Sequence, residues 1–360
     1  MVKEKILFSE SEVFYRSLGL TELENVSFEF DGMKKYKESN KSLSEYNMFV
    51  CAFYSLPHNY ILTEKFNGIG VKTVIVSDGI FDFANSFRNK IHVQYGLKLY
   101  FPIVQDYFII ADLISGEYHM NDKAVKLLNY RPSRMIETIE KIPLPQSKKI
   151  LITTANQAYF SLAEFHRLKS LLIEISLFLK ENDIDFAFRI FDKELINELG
   201  NFFGDNLVND VEDNFEVCLV KYSSVITTPS SICVTSMYHN RPVLNVVLRA
   251  DPVIIQAIWN IQSFDMFVGA FNDFYNFSIE SQEEQDILLN SYISKYSLSE
   301  VINEVRNDEL SIKKKQYADT LLMKMLNSKF NFNIEYFIRK IYNRYKKQNL
   351  IKQLRQKVKW

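Results

Sequence analysis

The stretch SSVITTPSSICVTSMYHNRPVLNVVL, residues 223–248, divides into three pieces from which the rest of the chain can be interpreted. The β-branched run 225–228 predicts a buried strand, and Ser230 and Ser231 follow where a helix would begin. The Asn-Arg-Pro sequence that ends at Pro242 would stop this helix, and the valine- and leucine-rich run after it predicts a second buried strand. We therefore expect a strand, a pair of serines at a helix N-terminus, a helix and another strand.

Ser230 and Ser231 are suited to hold an anion, because the first turn of a helix offers unpaired N–H groups and about half a positive charge. Their hydroxyl groups add donors at the same place, and Thr228 stands just before them at the end of the strand. This arrangement fits the phosphate of a nucleotide-activated donor, held at the carboxyl end of a parallel strand. The alternative is that Ser230 only caps the helix.

The composition predicts a globular protein of two ordinary domains. The chain has 360 residues, of which 47% are hydrophobic and 24% charged, enough to build a large core. The formal net charge of −1 argues against a protein that binds nucleic acid through its overall charge. Cys51, Cys218 and Cys233 lie in apolar segments, as expected for buried thiols in a reducing compartment. The five histidines show no metal-ligand spacing, so we expect no metal site.

No signal peptide is recognisable at the start of the sequence, and no uncharged apolar run reaches about 18 residues. We therefore expect the protein in the cytoplasm. Neither a P-loop nor a G-x-G-x-x-G motif is present, and the chain has only 10 glycines. A phosphate site would have to be built without a glycine-rich loop.

Residues 1–130 alternate strand-like and helix-like segments, which predicts a Rossmann-like domain with a mostly parallel sheet. The clearest strand covers 71–76, and Asp78 and Gly79 follow it directly. Asp78 would lie at the carboxyl edge of the sheet, where ligands bind, and would accept a proton there. Gly79 would let a ligand approach the backbone closely. A simple Asx-turn explains the same pair without any function, and Asp82 is a weaker substitute one turn later.

A second domain is expected after residues 131–148, which contain three of the eight prolines and predict a linker. Strand and helix patterns then alternate again, so we assign a second Rossmann-like domain to residues 149–330. Asn156 and Gln157 end its first strand, where they would contact the sugar or base of a donor or equally cap the next helix. Arg189 ends its second strand.

With these elements placed, the chain resembles the GT-B glycosyltransferases, an α/β class whose two Rossmann-like domains face one cleft. The resemblance is greatest to the bacterial sialyltransferases and capsule-polymer transferases. Two motifs carry it: Thr-Pro-Ser-Ser at 228–231, followed by a helix and Arg-Pro-Val-Leu at 241–244, and Lys-Thr-Val-Ile-Val-Ser-Asp-Gly at 72–79. The first is similar to the family's serine pair on the nucleotide phosphate, and the second to its acidic–glycine motif, whose aspartate acts as the base.

One motif of this family is replaced. Its members usually carry Lys-x-His-Pro or His-Pro after the second strand of the C-terminal domain, where this chain has Phe-Arg-Ile-Phe-Asp at 188–192. Arg189 would then take the place of the histidine, because arginine is always charged and binds phosphate in a bidentate manner.

The resemblance implies an inverting, metal-independent glycosyltransferase without a bound cofactor. Asp78 would take the acceptor proton, while Ser230, Ser231 and Arg189 would hold the leaving phosphate. The implied donor is a nucleotide sugar, in the first place CMP linked to a sialic-acid-like sugar, and the acceptor is a glycan or lipid-linked glycan of the bacterial surface. Two alternatives use the same fold: a polyol-phosphate transferase of the capsule or teichoic-acid type, and a non-catalytic GT-B-like binding subunit.

Residues 339–360 contain nine lysines or arginines and no acidic residue, and their apolar residues roughly follow one helical face. We therefore predict a basic amphipathic helix over 331–360. Such a helix can bind an anionic membrane, which would bring the protein to the inner face of the cell membrane. The alternative is a solvated helix or a basic arm that binds no membrane.

Overall fold

A computed structural model describes residues 3–53, 56–88, 100, 103–116, 125–204 and 207–309. Over these ranges the chain folds into two α/β domains, each built on one parallel sheet. The basic helix predicted over 331–360, and the membrane binding inferred from it, lie outside the described residues.

The N-terminal sheet has six described strands, all parallel, in the order β2-β1-β3-β4-β5-β6. They are β1 (Glu4–Phe8), β2 (Val26–Glu29), β3 (Met48–Cys51), β4 (Lys72–Val76), β5 (Tyr107–Ile110) and β6 (Lys126–Asn129). The helices of this part are α1 (Glu12–Ser17), a 3-10 helix (Gly32–Lys37), α2 (Asn40–Leu43), α3 (Pro57–Gly68) and α4 (Phe83–Arg88). Leu7 and Ile75 join one buried cluster and Ile6 and Val74 another, because successive side chains of a strand point to opposite faces.

The C-terminal sheet has five described strands, also all parallel, in the order β11-β10-β9-β7-β8. They are β7 (Ile150–Thr153), β8 (Phe186–Arg189), β9 (Ser224–Thr227), β10 (Val243–Val246) and β11 (Trp259–Ile261). The accompanying helices are α5 (Leu162–Glu181), α6 (Lys193–Phe203), α7 (Phe215–Leu219), α8 (Ser231–Tyr238), α9 (Phe264–Asn276) and α10 (Ile279–Tyr292). Ile152 and Ile226 pack with α5 and α6 on one face, whereas Leu151 and Val225 pack with α7 on the other.

One further helix, α11 (Leu298–Asn307), returns to the N-terminal sheet, although it lies in the range predicted for the second domain. Its buried side chains, Ile302 among them, join the same core cluster as Ile6. Lys72, at the start of β4, donates three hydrogen bonds of 2.7–2.9 Å to carbonyl groups at the C-terminal end of α11. The N-terminal domain is therefore completed by a late part of the chain.

The segment 131–148, predicted as a linker, is described throughout and contains neither helix nor strand. Glu216 accepts the N–H groups of two successive linker residues at 2.7 and 2.8 Å. His239 Nδ1 accepts the N–H of Ile142 at 3.1 Å, and Arg241 donates to two linker carbonyl groups. These contacts fix the linker on the C-terminal domain and thereby set the position of the cleft walls.

Candidate active site

A cavity of about 500 Å³ lies between the two domains. This volume is within the range that small-molecule sites usually have, about 300–1,000 Å³. Five chain segments line it: the loop after β4, the start of the linker, the loop after β7, the start of α8 and the loop after β10. Four of them follow parallel strands, namely β4, β7, β9 and β10, at the sheet edge where ligands bind in such folds. The lining includes six residues predicted from the sequence, Asp78, Gly79, Asn156, Gln157, Ser230 and Ser231.

Asp78 lies on the N-terminal wall of the cavity, and its side chain is 43% exposed. Oδ2 of Asp78 is 2.9 Å from Nη2 of Arg134, which comes from the linker, and the same Nη2 donates to the Asp78 carbonyl group. Arg134 therefore holds both the carboxylate and the backbone carbonyl group of Asp78 through one nitrogen atom. The spacing of charged residues along the chain does not indicate this partner.

Asp112 supports the loop that carries Asp78. It is buried at the end of β5, and its Oδ2 accepts the N–H of Phe81 at 3.5 Å. The remaining bonds of this carboxylate go to Ile114 and Ser115. Burial raises the pKa of Asp112, although each of these hydrogen bonds acts in the opposite direction. The Asp112 carboxylate therefore stabilises this loop from behind the site.

The serine pair forms the start of α8, as the sequence predicts, on the C-terminal wall. Ser230 is the N-cap residue, but its side chain makes no capping bond, and its buried Oγ has no hydrogen-bond partner among the described residues. Ser231 is exposed to the cavity. A buried hydroxyl without a partner is uncommon in folded proteins, so Ser230 Oγ is open to a ligand atom. Thr228 lies behind the lining, where its Oγ1 accepts the N–H of Ala155 at 2.8 Å.

Asn156 and Gln157 are exposed in the loop after β7. The side chain of Gln157 donates to the Tyr159 carbonyl group at 2.7 Å. The helix that follows is capped by Ser161, whose Oγ accepts the N–H of Glu164 at 3.2 Å. Ser161, and neither Asn156 nor Gln157, therefore caps this helix, and both of these residues line the cavity.

Arg189 lies outside this lining. Its two Nη atoms donate to the carbonyl groups of Asp210 and Asp213, each at 2.7 Å, and its guanidinium lies 5.1 Å from the ring centre of Phe191. These contacts hold the loop before α7 on the end of β8. The side chain leaves the strand end in the direction of this loop, away from the residues that meet at the cleft.

Arg249 is a residue of the site that the sequence analysis did not single out. Its side chain is 4% exposed and lines the cavity. Nη1 lies 3.0 Å from Oδ1 and 2.8 Å from Oδ2 of Asp82, and Nη2 donates to the Gln157 carbonyl group at 2.6 Å. Nε is buried, and the described residues offer it no hydrogen-bond partner. The cavity therefore contains a buried cation with an unused donor beside a helix N-terminus.

Charged pairs connect the domains around the cavity. Besides the Asp82–Arg249 pair, Arg88 on α4 lies 2.9 Å from Glu164 and 3.0 Å from Asp251 of the C-terminal domain. All the N-terminal partners come from the loop after β4 and the short helix behind it. One segment thus carries both Asp78 and the contacts that span the cleft.

Neither a metal site nor a membrane-spanning helix is found in the described residues. No three side chains of His, Cys, Asp or Glu there are grouped so that they could hold a metal ion. None of the helices that the structure describes has the length and apolar character needed to cross a membrane.

Comparison with solved structures finds similar chains at low sequence identity. A UDP-N-acetylglucosamine 2-epimerase candidate from Listeria monocytogenes has 10% identity and a TM-score of 0.53, covering 85% of this chain and 95% of that protein. A glycosyltransferase from Rickettsia africae ESF-5 has 11% identity and a TM-score of 0.49, with 85% and 98% covered. MurG from Acinetobacter baumannii has 9% identity and a TM-score of 0.49, with 85% and 100% covered.

No family profile matches the chain, and a search of curated proteins finds no sequence match. The similarity to the Listeria structure, together with the two parallel-sheet domains and the cavity between them, confirms the GT-B fold. At such low identity the similarity defines the fold, and the chemistry has to be argued from the site.

Proposed function

We propose that the protein is a glycosyltransferase that binds a nucleotide-activated sugar in the interdomain cavity. The observation that carries this proposal is the meeting of two chemically different walls: a carboxylate, Asp78, faces a helix N-terminus with an unpaired serine hydroxyl and a buried arginine. Transfer of a sugar needs a base for the acceptor and positive groups for the leaving phosphate. The wall with Asp78 supplies the base, and the wall with the helix N-terminus and the arginine supplies the positive groups.

On the donor wall, the N–H groups at the start of α8 and the hydroxyls of Ser230 and Ser231 would hold the phosphate. Arg249 would neutralise its charge. This role was expected for Arg189, but the guanidinium of Arg189 binds two carbonyl groups outside the cavity. The exposed amides of Asn156 and Gln157 would contact the sugar or the base.

On the acceptor wall, Asp78 would accept the proton of the attacking hydroxyl. The acceptor oxygen bonds to the anomeric carbon while the bond from that carbon to the phosphate oxygen breaks, which inverts the configuration. Arg134 would act as a positioning residue, because it holds the Asp78 carboxylate from the linker. The leaving phosphate takes the electron pair of the broken bond, and Arg249 and the start of α8 stabilise the negative charge that it gains.

For the donor we propose a single-phosphate, CMP-linked acidic sugar. Among the described residues, the donor wall of the cavity offers one helix N-terminus and one buried arginine, since the other lining arginine, Arg134, is paired with Asp78. One phosphate fits this supply of positive charge better than two. The acceptor would be a glycan or lipid-linked glycan of the bacterial surface, extended in the cytoplasm, with residues 339–360 bound to the anionic membrane.

The test is a thermal-shift titration with CMP, CDP, UDP and GDP, followed by donor turnover assays. A ligand that binds the folded protein raises its melting temperature with concentration. We expect the largest rise with CMP, and transfer from a CMP-linked sugar. Asp78→Asn should lower kcat by about 10²–10⁴-fold, the usual contribution of a general base, while nucleotide affinity changes little.

Three results would distinguish the alternatives. Nucleotide binding without turnover of any donor would favour the non-catalytic subunit. A polyol phosphate rather than a sugar on the acceptor, identified by mass spectrometry, would favour the polyol-phosphate transferase. Full activity of Asp78→Asn would show that another group is the base.

A further inference from the structure

The ion pair between Asp82 and Arg249 links the acceptor wall to the donor wall. Nη1 of Arg249 is within 3.0 Å of both oxygens of the Asp82 carboxylate. Carboxylate and phosphate both present two anionic oxygens on one centre, and arginine binds them in similar ways. Asp82 therefore offers Arg249 the same kind of group that a donor phosphate would.

The side chain of Arg249 is more buried than that of Asp82 and makes more contacts within its own domain. Arg249 is 4% exposed, its Nη2 bonds to the Gln157 carbonyl group, and its guanidinium lies 5.0 Å from the ring centre of Phe160. Asp82 is 33% exposed and lies at the end of a loop of the other domain. If the pair breaks, Arg249 is held in place by the C-terminal domain. Asp82 Oδ1 still accepts the N–H of Asn85 at 3.3 Å, which caps α4, while its other oxygen can be hydrated. The carboxylate is thus the partner that can leave.

Arg249 would form more hydrogen bonds with a phosphate than it forms with Asp82. Its Nε is buried without a hydrogen-bond partner among the described residues, and so is Oγ of Ser230, which lines the same cavity. Asp82 reaches only Nη1. A phosphate has more acceptor oxygens than a carboxylate, and on the donor wall it would also meet the N–H groups of α8. Unused buried donors favour the ligand that satisfies more of them.

We propose that Asp82 occupies the place of the donor phosphate on Arg249, so that donor binding breaks this pair and releases the Asp82 carboxylate towards the acceptor side. This proposal rests on the proposed function and adds the order in which the donor and the acceptor bind. Before the donor arrives, Asp82 is held by Arg249; afterwards it is a second carboxylate near Asp78 that can hydrogen-bond acceptor hydroxyls. The donor therefore binds before the acceptor.

The variant Asp82→Asn tests this exchange. Asparagine retains the shape of the side chain and caps helices as well as aspartate does, so α4 should be preserved. We would measure Kd for CMP, UDP and inorganic pyrophosphate by calorimetry in the wild type, Asp82→Asn, Arg249→Gln and the double variant. Asp82→Asn should tighten binding by about fivefold or more, the size of common coupling between sites. In the Arg249→Gln background the same change should have no effect.

The matched control is Asp78→Asn, which removes the same charge from the same cavity but has Arg134 as its partner. Equal tightening by Asp78→Asn and Asp82→Asn would overturn the exchange, since loss of any negative charge would then suffice. Unchanged or weaker binding by Asp82→Asn, with binding lost in Arg249→Gln, would also overturn it but leave the donor site intact. Failure of both the wild type and Asp82→Asn to bind any of the three probes would remove both proposals.

Discussion

Arg241 and Arg249 are both buried in the C-terminal domain, but they meet different groups. Arg241 is 0% exposed, and each of its five N–H donors is used by a backbone carbonyl group. Arg249 meets one carboxylate and one carbonyl group, and its Nε has no partner in the described part of the chain. An arginine with every donor used joins chain segments, whereas one with a free donor in a cavity can bind a ligand.

Arg241→Met should therefore destabilise the fold. Five carbonyl groups, three of them in buried hydrogen bonds, would lose their donor, and we expect the free energy of unfolding to fall by about 3–5 kcal/mol. Burial lowers the pKa of Arg241 to about 10, so removal of the charge recovers part of the loss. Urea unfolding measures the difference, with Arg167→Met on the exposed side of α5 as the control, expected within about 0.5 kcal/mol of the wild type. Equal urea midpoints for Arg241→Met and Arg167→Met would contradict a stabilising role of Arg241.

Strand ends were the signal in the sequence that located the cleft residues. Asp78 and Ser230 were found in this way, and both line the cavity. The same signal applies to Arg189, yet its side chain turns to carbonyl groups outside the cavity. It also applies to Arg249, which directly follows the apolar run ending at residue 248. A sequence indicates where a strand ends, but the direction of a long side chain depends on tertiary contacts.

At the scale of single elements, the linker depends on a buried histidine. Nδ1 of His239 accepts the N–H of Ile142, and Nε2 lies 3.4 Å from Glu216. Burial lowers the pKa of His239; Arg241 and Lys141 act in the same direction, and Glu216 acts against it. The neutral ring is thus the form that the folded protein prefers.

The contribution of His239 to stability should depend on pH. Because its pKa is lower in the folded protein than the ordinary 6.5, the contribution is complete above that pH and is lost as the pH falls. We expect His239→Asn, whose Oδ1 can still accept a hydrogen bond, to lose less stability than the wild type between pH of about 7.5 and 5.5. Urea midpoints at both pH values give the comparison, and His166→Asn on exposed α5 should behave as the wild type. If His239→Asn loses as much stability as the wild type, another group controls the dependence of stability on pH in this range.

The central strands could be predicted from the sequence, and most edge strands could not. In the N-terminal half, the apolar runs 6–8, 47–53, 71–76 and 107–111 predict β1, β3, β4 and β5, and the runs of the second half predict β7–β10; all of these strands are present. The strands not predicted, β2, β6 and β11, lie at sheet edges and are mostly half-buried. A half-buried edge strand lacks the continuous apolar run of a central parallel strand. Its position follows from its neighbour in the sheet, which a local pattern does not contain.

At the scale of the whole molecule, two chain segments join the domains: the linker 131–148 and the return to α11. The second is anchored by apolar side chains, by Lys72 at its C-terminal end and by Arg306, whose Nε lies 3.0 Å from Glu4. The hydrogen bonds of Lys72 and of the Glu24 carbonyl group with α11 join residues more than 200 positions apart in the sequence. The two domains are therefore held together by more than the continuity of the linker.

Cleavage of the linker should for this reason leave the protein in one piece. Residues 144–147 are largely exposed, so a protease site can replace them. α11 buries four apolar side chains in the N-terminal core, each worth about 1.5–3 kcal/mol: Leu298, Val301, Ile302 and Val305. The two fragments should elute together in size-exclusion chromatography and separate only in denaturant. Ile302→Asp places a charge in the buried contact between α11 and the N-terminal core. With this substitution the two fragments should separate at a lower urea concentration. If the cut protein with native α11 elutes as two species without urea, the return helix does not hold the domains together, and the linker alone does so.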